Sequence, residues 1–133
     1  GVASWLYMQA DEERLHMLKF IKYINERGGK AVFPALKKPA GEYKSVEDVF
    51  QQVLKHEEFV TESINEIVGL TLDEKDYNTN NFLQWFVFEQ VEEEASVRTI
   101  LDKVRLVGKN NMYQFDRDIL SLRSPAGNTQ PNL

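Results

Sequence analysis

The sequence contains no cysteine, which excludes disulfide frameworks, thiolate zinc sites and thiol nucleophiles. Its four prolines are confined to connections: Pro34 and Pro39 share one, and Pro125 and Pro131 lie near the end. Positive charge is also short. Sixteen Lys and Arg face 21 Asp and Glu, for a formal net charge of -5 and a pI near 5.1. General binding to nucleic acid or to an anionic membrane surface needs a positive face, so neither partner is expected. No apolar run reaches the roughly 20 residues of a membrane span, and no signal-peptide pattern opens the chain. A cytoplasmic protein is the expectation. What remains is 133 residues, 42% apolar and 28% charged, enough for one packed domain and too few for two ordinary ones.

Three stretches carry helical periodicity and none reads as a strand. The first runs from about Val2 to Arg27 and stops at Gly28-Gly29, where glycine takes the left-handed C-cap conformation at little cost. The second begins at Ser45, with Ser45-x-x-Asp48 resembling a capping box, and continues to about Leu70. The third follows the Asn78-Thr79-Asn80-Asn81 cluster of N-cap residues and reaches about Gly108. A shorter piece spans roughly Met112 to Leu122, and residues 123–133 read as a disordered tail. The connection between the second and third helices, about seven residues, predicts antiparallel neighbours. A helix of roughly 25 residues is about 38 Å long. The link from Gly28 to Lys44, about 17 residues, can extend roughly 56 Å. It can therefore cross the length of a bundle and leave the first two helices parallel.

Spacing of four and three residues picks out the inward stripe of each helix. The second helix gives Val46, Phe50, Val53, Glu57, Val60, Ile64 and Ile67. The first gives Val2, Leu6, Gln9, Glu13, His16, Phe20 and Tyr23, and the third Phe82, Phe86, Gln90, Glu93, Val97, Ile100 and Val104. Each stripe is apolar at its ends and ionisable or amide-bearing near mid-height. Taken singly, Glu57 fits a helix edge, Glu92-Glu93-Glu94 a solvated face and His16 a hydrogen-bonded core histidine. Their coincidence at one level is different. Buried carboxylates close together repel one another and cost several kcal/mol each when unpaired. Lys and Arg are missing from these stripe positions, so a metal cation is the natural counter-charge.

The donor set narrows that metal. Glu13-Arg14-Leu15-His16 places a carboxylate and an imidazole one turn apart on one face, the Glu-x-x-His spacing of carboxylate-bridged di-iron bundles. One imidazole among many carboxylates and no thiolate suits iron or manganese better than structural zinc. Gln90 and Glu93 stand where a second Glu-x-x-His would be, so two metals would have unequal surroundings. His56 precedes Glu57 but points off its stripe, and reads as a surface residue or as one standing just behind the ligands. Trp85 reads as a packed core indole, with electron transfer to the site as its other conceivable role.

Three segments resemble the ferritin family, and within it the haem-free prokaryotic ferritins: Ala10 to His16, Ser45 to Asn65 with Glu57, and Asn81 to Glu94. The likeness extends to about Ser121 and implies an all-α, ferritin-like four-helix bundle with a long crossover and a short C-terminal helix lying apart from the bundle. It covers residues 1–122 as one domain. It implies oxidation of Fe(II) by O2 or peroxide at a dinuclear ferroxidase centre and storage of the ferric mineral in a cage of 24 identical subunits. Matched by position, Glu13 and His16 hold the first iron with Glu13 bridging. Glu57, Gln90 and Glu93 surround the second, Gln90 as a weak ligand or nearby polar group. Glu12, Glu89 and Glu92 match a third iron site. Bacterioferritins carry a haem-ligating methionine where Arg14 stands, so no haem is expected.

The family's first helix, with a terminal glutamate for the first iron, has no counterpart in the sequence. Three long amphipathic helices leave their apolar stripes open on one side, and the expectation is a piece of a longer chain. Two other functions fit the same pattern. One is a structural or assembly subunit with impaired iron chemistry; the other is a different di-iron oxidoreductase, which would usually repeat Glu-x-x-His.

Overall fold

The computed structural model describes residues 1–39 and 41–123. Three long helices, α1 (Val2–Glu26), α2 (Val46–Asp73) and α3 (Tyr77–Val107), are followed by the short α4 (Met112–Asp118), which is flanked by 3₁₀ turns at Lys109–Asn111 and Ile119–Leu122. No strand occurs among the described residues, and none of their helices is long and apolar enough to cross a membrane. Of the tail expected to be disordered, residues 124–133 lie outside the described residues.

Local chemistry sets the helix ends. Gly28 takes φ 78°, and the Gly28 and Gly29 amides donate to Asn25 and Ile24 carbonyls at 3.0 and 2.9 Å, a Schellman closure of α1. At the start of α2, Ser45 Oγ accepts from the Asp48 amide at 3.1 Å. Asp48 reaches back one residue beyond the expected partner, accepting from the Lys44 amide at 2.9 Å.

The α2–α3 connection differs from expectation. It is only Glu74–Asp76, three residues between helix ends, and the N-cap of α3 is Asp76, not a member of the Asn78–Asn81 cluster. Aspartate and asparagine cap about equally well, and the carboxylate also brings a favourable charge to the helix's positive end. Asp76 accepts from the Thr79 amide at 3.1 Å and from the Thr79 hydroxyl at 2.5 Å. Its own amide donates to the Thr71 carbonyl at 2.8 Å, closing α2. Lys75, between them, is the left-handed residue at φ 57°. One residue thus ends α2 and begins α3.

Side-chain pairs along the helices set their directions. Arg105 reaches Glu47 at 2.9 Å, Thr61 donates to Glu94 at 2.6 Å and Asn80 donates to Thr71 at 2.9 Å, so α2 and α3 run antiparallel. Helix α1 meets α3 through aromatic side chains. Tyr23 stacks on Phe82 with centroids 3.9 Å apart, Phe20 lies 4.4 Å from Phe86, and Trp5 meets Phe50 of α2 edge-on at 5.1 Å. The first two helices are therefore parallel, as the long crossover requires.

The stripes are followed closely, with two departures. Ile67 is 39% exposed, because a strict heptad drifts around a straight helix of 3.6 residues per turn. Trp5, Leu83 and Leu101 are buried although they lie off the stripes. The short C-terminal helix is also not set apart. Phe115 and Ile119 are buried in one cluster with Trp5, Phe50, Ile100 and Val104. Their apolar side chains find the largest available contact at the end of the bundle where α1 begins. Replacing Ile119 with Ala should therefore cost about 2–5 kcal/mol in urea unfolding. An effect below about 0.5 kcal/mol, the usual surface value, would mean that the segment is not part of the core.

Candidate metal centre

The mid-height polar residues converge where α1 and α3 face each other, with α2 contributing from the side. His16 Nδ1 lies 3.5 Å from Glu13 on the next turn of α1, and His16 Nε2 lies 3.9 Å from Glu89 of α3. Ligand atoms of His16, Glu89 and Glu93 all fall within 4.8 Å of one another, a spacing that one cation can span. Glu57 of α2 and Gln90 of α3 close the side of the site that faces α2. The Gln90 amide nitrogen lies 3.3 Å from the Glu57 carboxylate and donates to the Glu57 backbone carbonyl at 3.1 Å. Glu57, Gln90 and Glu93 are all buried.

Two of the expected ligands stand outside this group. Glu92 is exposed and influences the site through space, raising the pKa of Glu89. Glu12 is ion-paired to Arg123. Glu89, matched from the sequence to a third site, stands beside His16. The Glu92-Glu93-Glu94 run divides three ways, because successive helix positions are separated by about 100°. Glu93 turns inward, Glu92 outward, and Glu94 is held by Thr61 at 2.6 Å and Arg98 at 2.6 Å.

Gln9 was legible as a polar stripe residue but was not singled out for the site. Its amide nitrogen donates to Glu93 at 2.9 Å and lies 3.4 Å from Glu13, so it links two carboxylates on different helices. The signal lay in its position one turn before Glu13. Trp85 packs edge-on against His16 at 5.4 Å, with the Lys19 ammonium 3.0 Å above its ring.

Electrostatics follow from crowding like charges in a buried seam. Burial first, then the charge of Glu13, pushes the Glu57 carboxyl up to about 7, although its hydrogen bond from Gln90 opposes the rise. Burial likewise raises Glu93 against the stabilising hydrogen bond from Gln9, and burial raises Glu89. The Glu13 carboxyl moves the other way, chiefly through its hydrogen bond with His16. Burial works against protonated His16. The hydrogen bond and charge of Glu13, with the charges of Glu93 and Glu89, outweigh it and raise the histidine.

No Lys or Arg pairs with Glu13, Glu57 or Glu93 among the described residues. Metal-free, the seam keeps protons to limit repulsion; a cation would replace them. One imidazole and several carboxylates form a hard, oxygen-rich donor set, which fits iron or manganese.

The family profile described as "Ferritin-like domain" matches residues 1–107. A probable bacterial non-heme ferritin-like protein of Haemophilus influenzae is 44% identical over 128 residues, covering 95% of this chain and 78% of that protein. A bacterial non-heme ferritin of Campylobacter jejuni is 43% identical over 124 residues, covering 92% and 74% respectively. Among solved structures, an open-pore ferritin from the hyperthermophilic archaeon Archaeoglobus fulgidus superposes with a TM-score of 0.84 at 42% identity. That match covers 90% of this chain and 75% of the other.

The raised acids predict an inverted pH response. Folded Glu57 keeps its proton to about pH 7, whereas the unfolded chain releases it near 4.5. In that window the folded state binds more protons, so stability falls as pH rises. Raised His16 acts in the same sense at higher pH, its contribution fading as pH climbs through its folded pKa. Metal-free protein should lose about 2 kcal/mol between pH 5 and 7 through Glu57, and Glu57→Gln should flatten this loss. Denaturant titrations across that range provide the check; a Glu57→Gln profile as steep as wild type would remove Glu57 as the source.

Proposed function

The chain belongs to the ferritin family, and on that premise we propose that it is an iron-storage subunit. In this reading it oxidises Fe(II) at a dinuclear carboxylate and histidine centre and holds the ferric mineral within a 24-subunit homo-oligomeric cage in the cytoplasm. Residues 1–122 form the domain that does this. The observation that carries the proposal is the convergence of Glu13, His16, Glu57 and Glu93 in a seam with no Lys or Arg paired to its inner carboxylates. The names of the bacterial relatives support iron as the cargo.

The substrate ions take the places of the seam's protons. Glu13 and His16 hold the first Fe(II), with Glu13 positioned to bridge. Glu57 and Glu93 hold the second, and Gln90 orients Glu57 through the hydrogen bond that its side-chain amide donates at 3.3 Å. Gln9 fixes Glu93 and steadies Glu13. Glu89, beside His16 and on the same helix as Glu92, joins the first position to a third one made with Glu12 and Glu92. Each Fe(II) gives up one electron, so the pair supplies the two needed to reduce O2 to peroxide or peroxide to water. The protein contributes proximity, and its hard carboxylates favour the ferric product.

The centre also loses protons when iron enters, because Glu57 and His16 must both be deprotonated to ligate. Aerobic addition of Fe(II) to the protein should give rapid oxidation, followed by absorbance of the ferric product. Glu57→Ala and His16→Ala should each slow it about 10-fold or more, the usual scale for losing a group that positions a metal. Wild-type rates in both variants would exclude this centre.

A further inference from the structure

From outside the three stripes, Lys19 acts on Glu89 through space, and Arg123 pairs directly with Glu12. Arg123 follows the 3₁₀ turn Ile119–Leu122 and folds back onto α1. Its guanidinium pairs with the Glu12 carboxylate, and its side chain is only 10% exposed. A second nitrogen donates to the Trp5 backbone carbonyl at 3.3 Å, while the guanidinium carbon lies 5.6 Å from the centre of the Trp5 ring. Three contacts thus hold Arg123 between the last turn and α1. The turn itself is anchored by Ile119, which is fully buried.

Glu12 is the residue that this pairing removes from the cluster. Its charge still raises the pKa of Glu89 and of Glu93 through space, although its ligand atoms lie outside the His16, Glu89 and Glu93 group. Arginine remains protonated at any accessible pH. Glu12 therefore cannot be freed by proton loss; the guanidinium must move. A buried guanidinium left without its carboxylate is strongly unfavourable, so Arg123 would leave its place beside Trp5 as well as Glu12.

We infer that Arg123 is a built-in competitor for the metal position at Glu12: it occupies that carboxylate when the site is empty and is displaced, together with the Ile119–Arg123 turn, when a divalent cation takes Glu12 with Glu89. The inference rests on the proposed role of Glu12 as an iron ligand. Filling of this outer position is thereby coupled to release of the chain's last described turn. Arg123 does not touch the residues of the inner pair of positions.

The test uses anaerobic Fe(II) titration of the full chain by calorimetry, with amide hydrogen exchange across residues 115–123 measured before and at saturation. Wild type should bind two ions tightly and a third more weakly, and exchange in the turn should rise as the third binds. Arg123→Gln should tighten the third ion about tenfold, the size of a partly screened charge pair. Its turn should exchange fast with or without iron. Arg123→Lys, which keeps the charge but loses the two-nitrogen grip, should fall between the two. Unchanged third-ion affinity in Arg123→Gln, or wild-type exchange in the turn that iron does not alter, would overturn the competition. The wild-type measurement does so even if a variant fails to fold. Glu12→Gln separates the premise from the inference. If it retains the third ion, Glu12 is not a ligand and the premise fails; if the third ion is lost there while Arg123→Gln changes nothing, only the inference fails.

Discussion

Everything in this structure is arranged around carboxylates that oppose their own assembly. Glu13, Glu57, Glu89 and Glu93 approach one another where burial penalises charge, and Glu57, Glu89 and Glu93 hold protons more tightly than free carboxylic acids as a result. Such a seam has no stabilising role of its own in the metal-free protein. It persists because the packing above and below it is apolar and aromatic: Trp5, Phe50 and Ile100 toward one end, and the Phe20, Tyr23, Phe82 and Phe86 rings toward the other. The hydrophobic effect from the two ends holds together a middle that would otherwise separate.

The amides mediate between these demands. Gln9 and Gln90 each donate to a buried carboxylate on another helix, favouring the charged form against burial without adding a net charge. A lysine in either place would neutralise the seam permanently and compete with any incoming cation. The two glutamines instead leave the negative charge available. This explains why the stripe positions carry amides, not cations, beside the acids.

Much of this was legible in the sequence because helical periodicity is a local property that packing here reinforces. Phe50, Glu57, Gln90, Glu93 and Val97 fell on the predicted stripes and are buried. Less visible was whatever depends on non-local geometry. Trp5 lies off its stripe, and it is buried in one cluster with Phe50 of α2 and the returning C-terminal residues Phe115 and Ile119. Arg123 lies more than 100 residues from Glu12 in sequence, so no spacing rule could pair them. The Asn78–Asn81 cluster was a sound set of cap residues by composition, yet a carboxylate at Asp76 took the role. The side-chain periodicity could not say which of several good caps wins.

The shared cap at Asp76 has a consequence for how the chain can change length. Because this residue terminates α2 and initiates α3, the two helices have almost no slack between them. One residue added there would turn α3 by about 100° and shift it by about 1.5 Å relative to α2, carrying Gln90 away from Glu57 at the far side of the bundle. The Arg27–Ser45 crossover imposes no such phase, since extended chain absorbs insertions without rotating a helix. Insertions and deletions should therefore be tolerated in the long connection and lethal to the metal seam in the short one, although both lie far from the ligands.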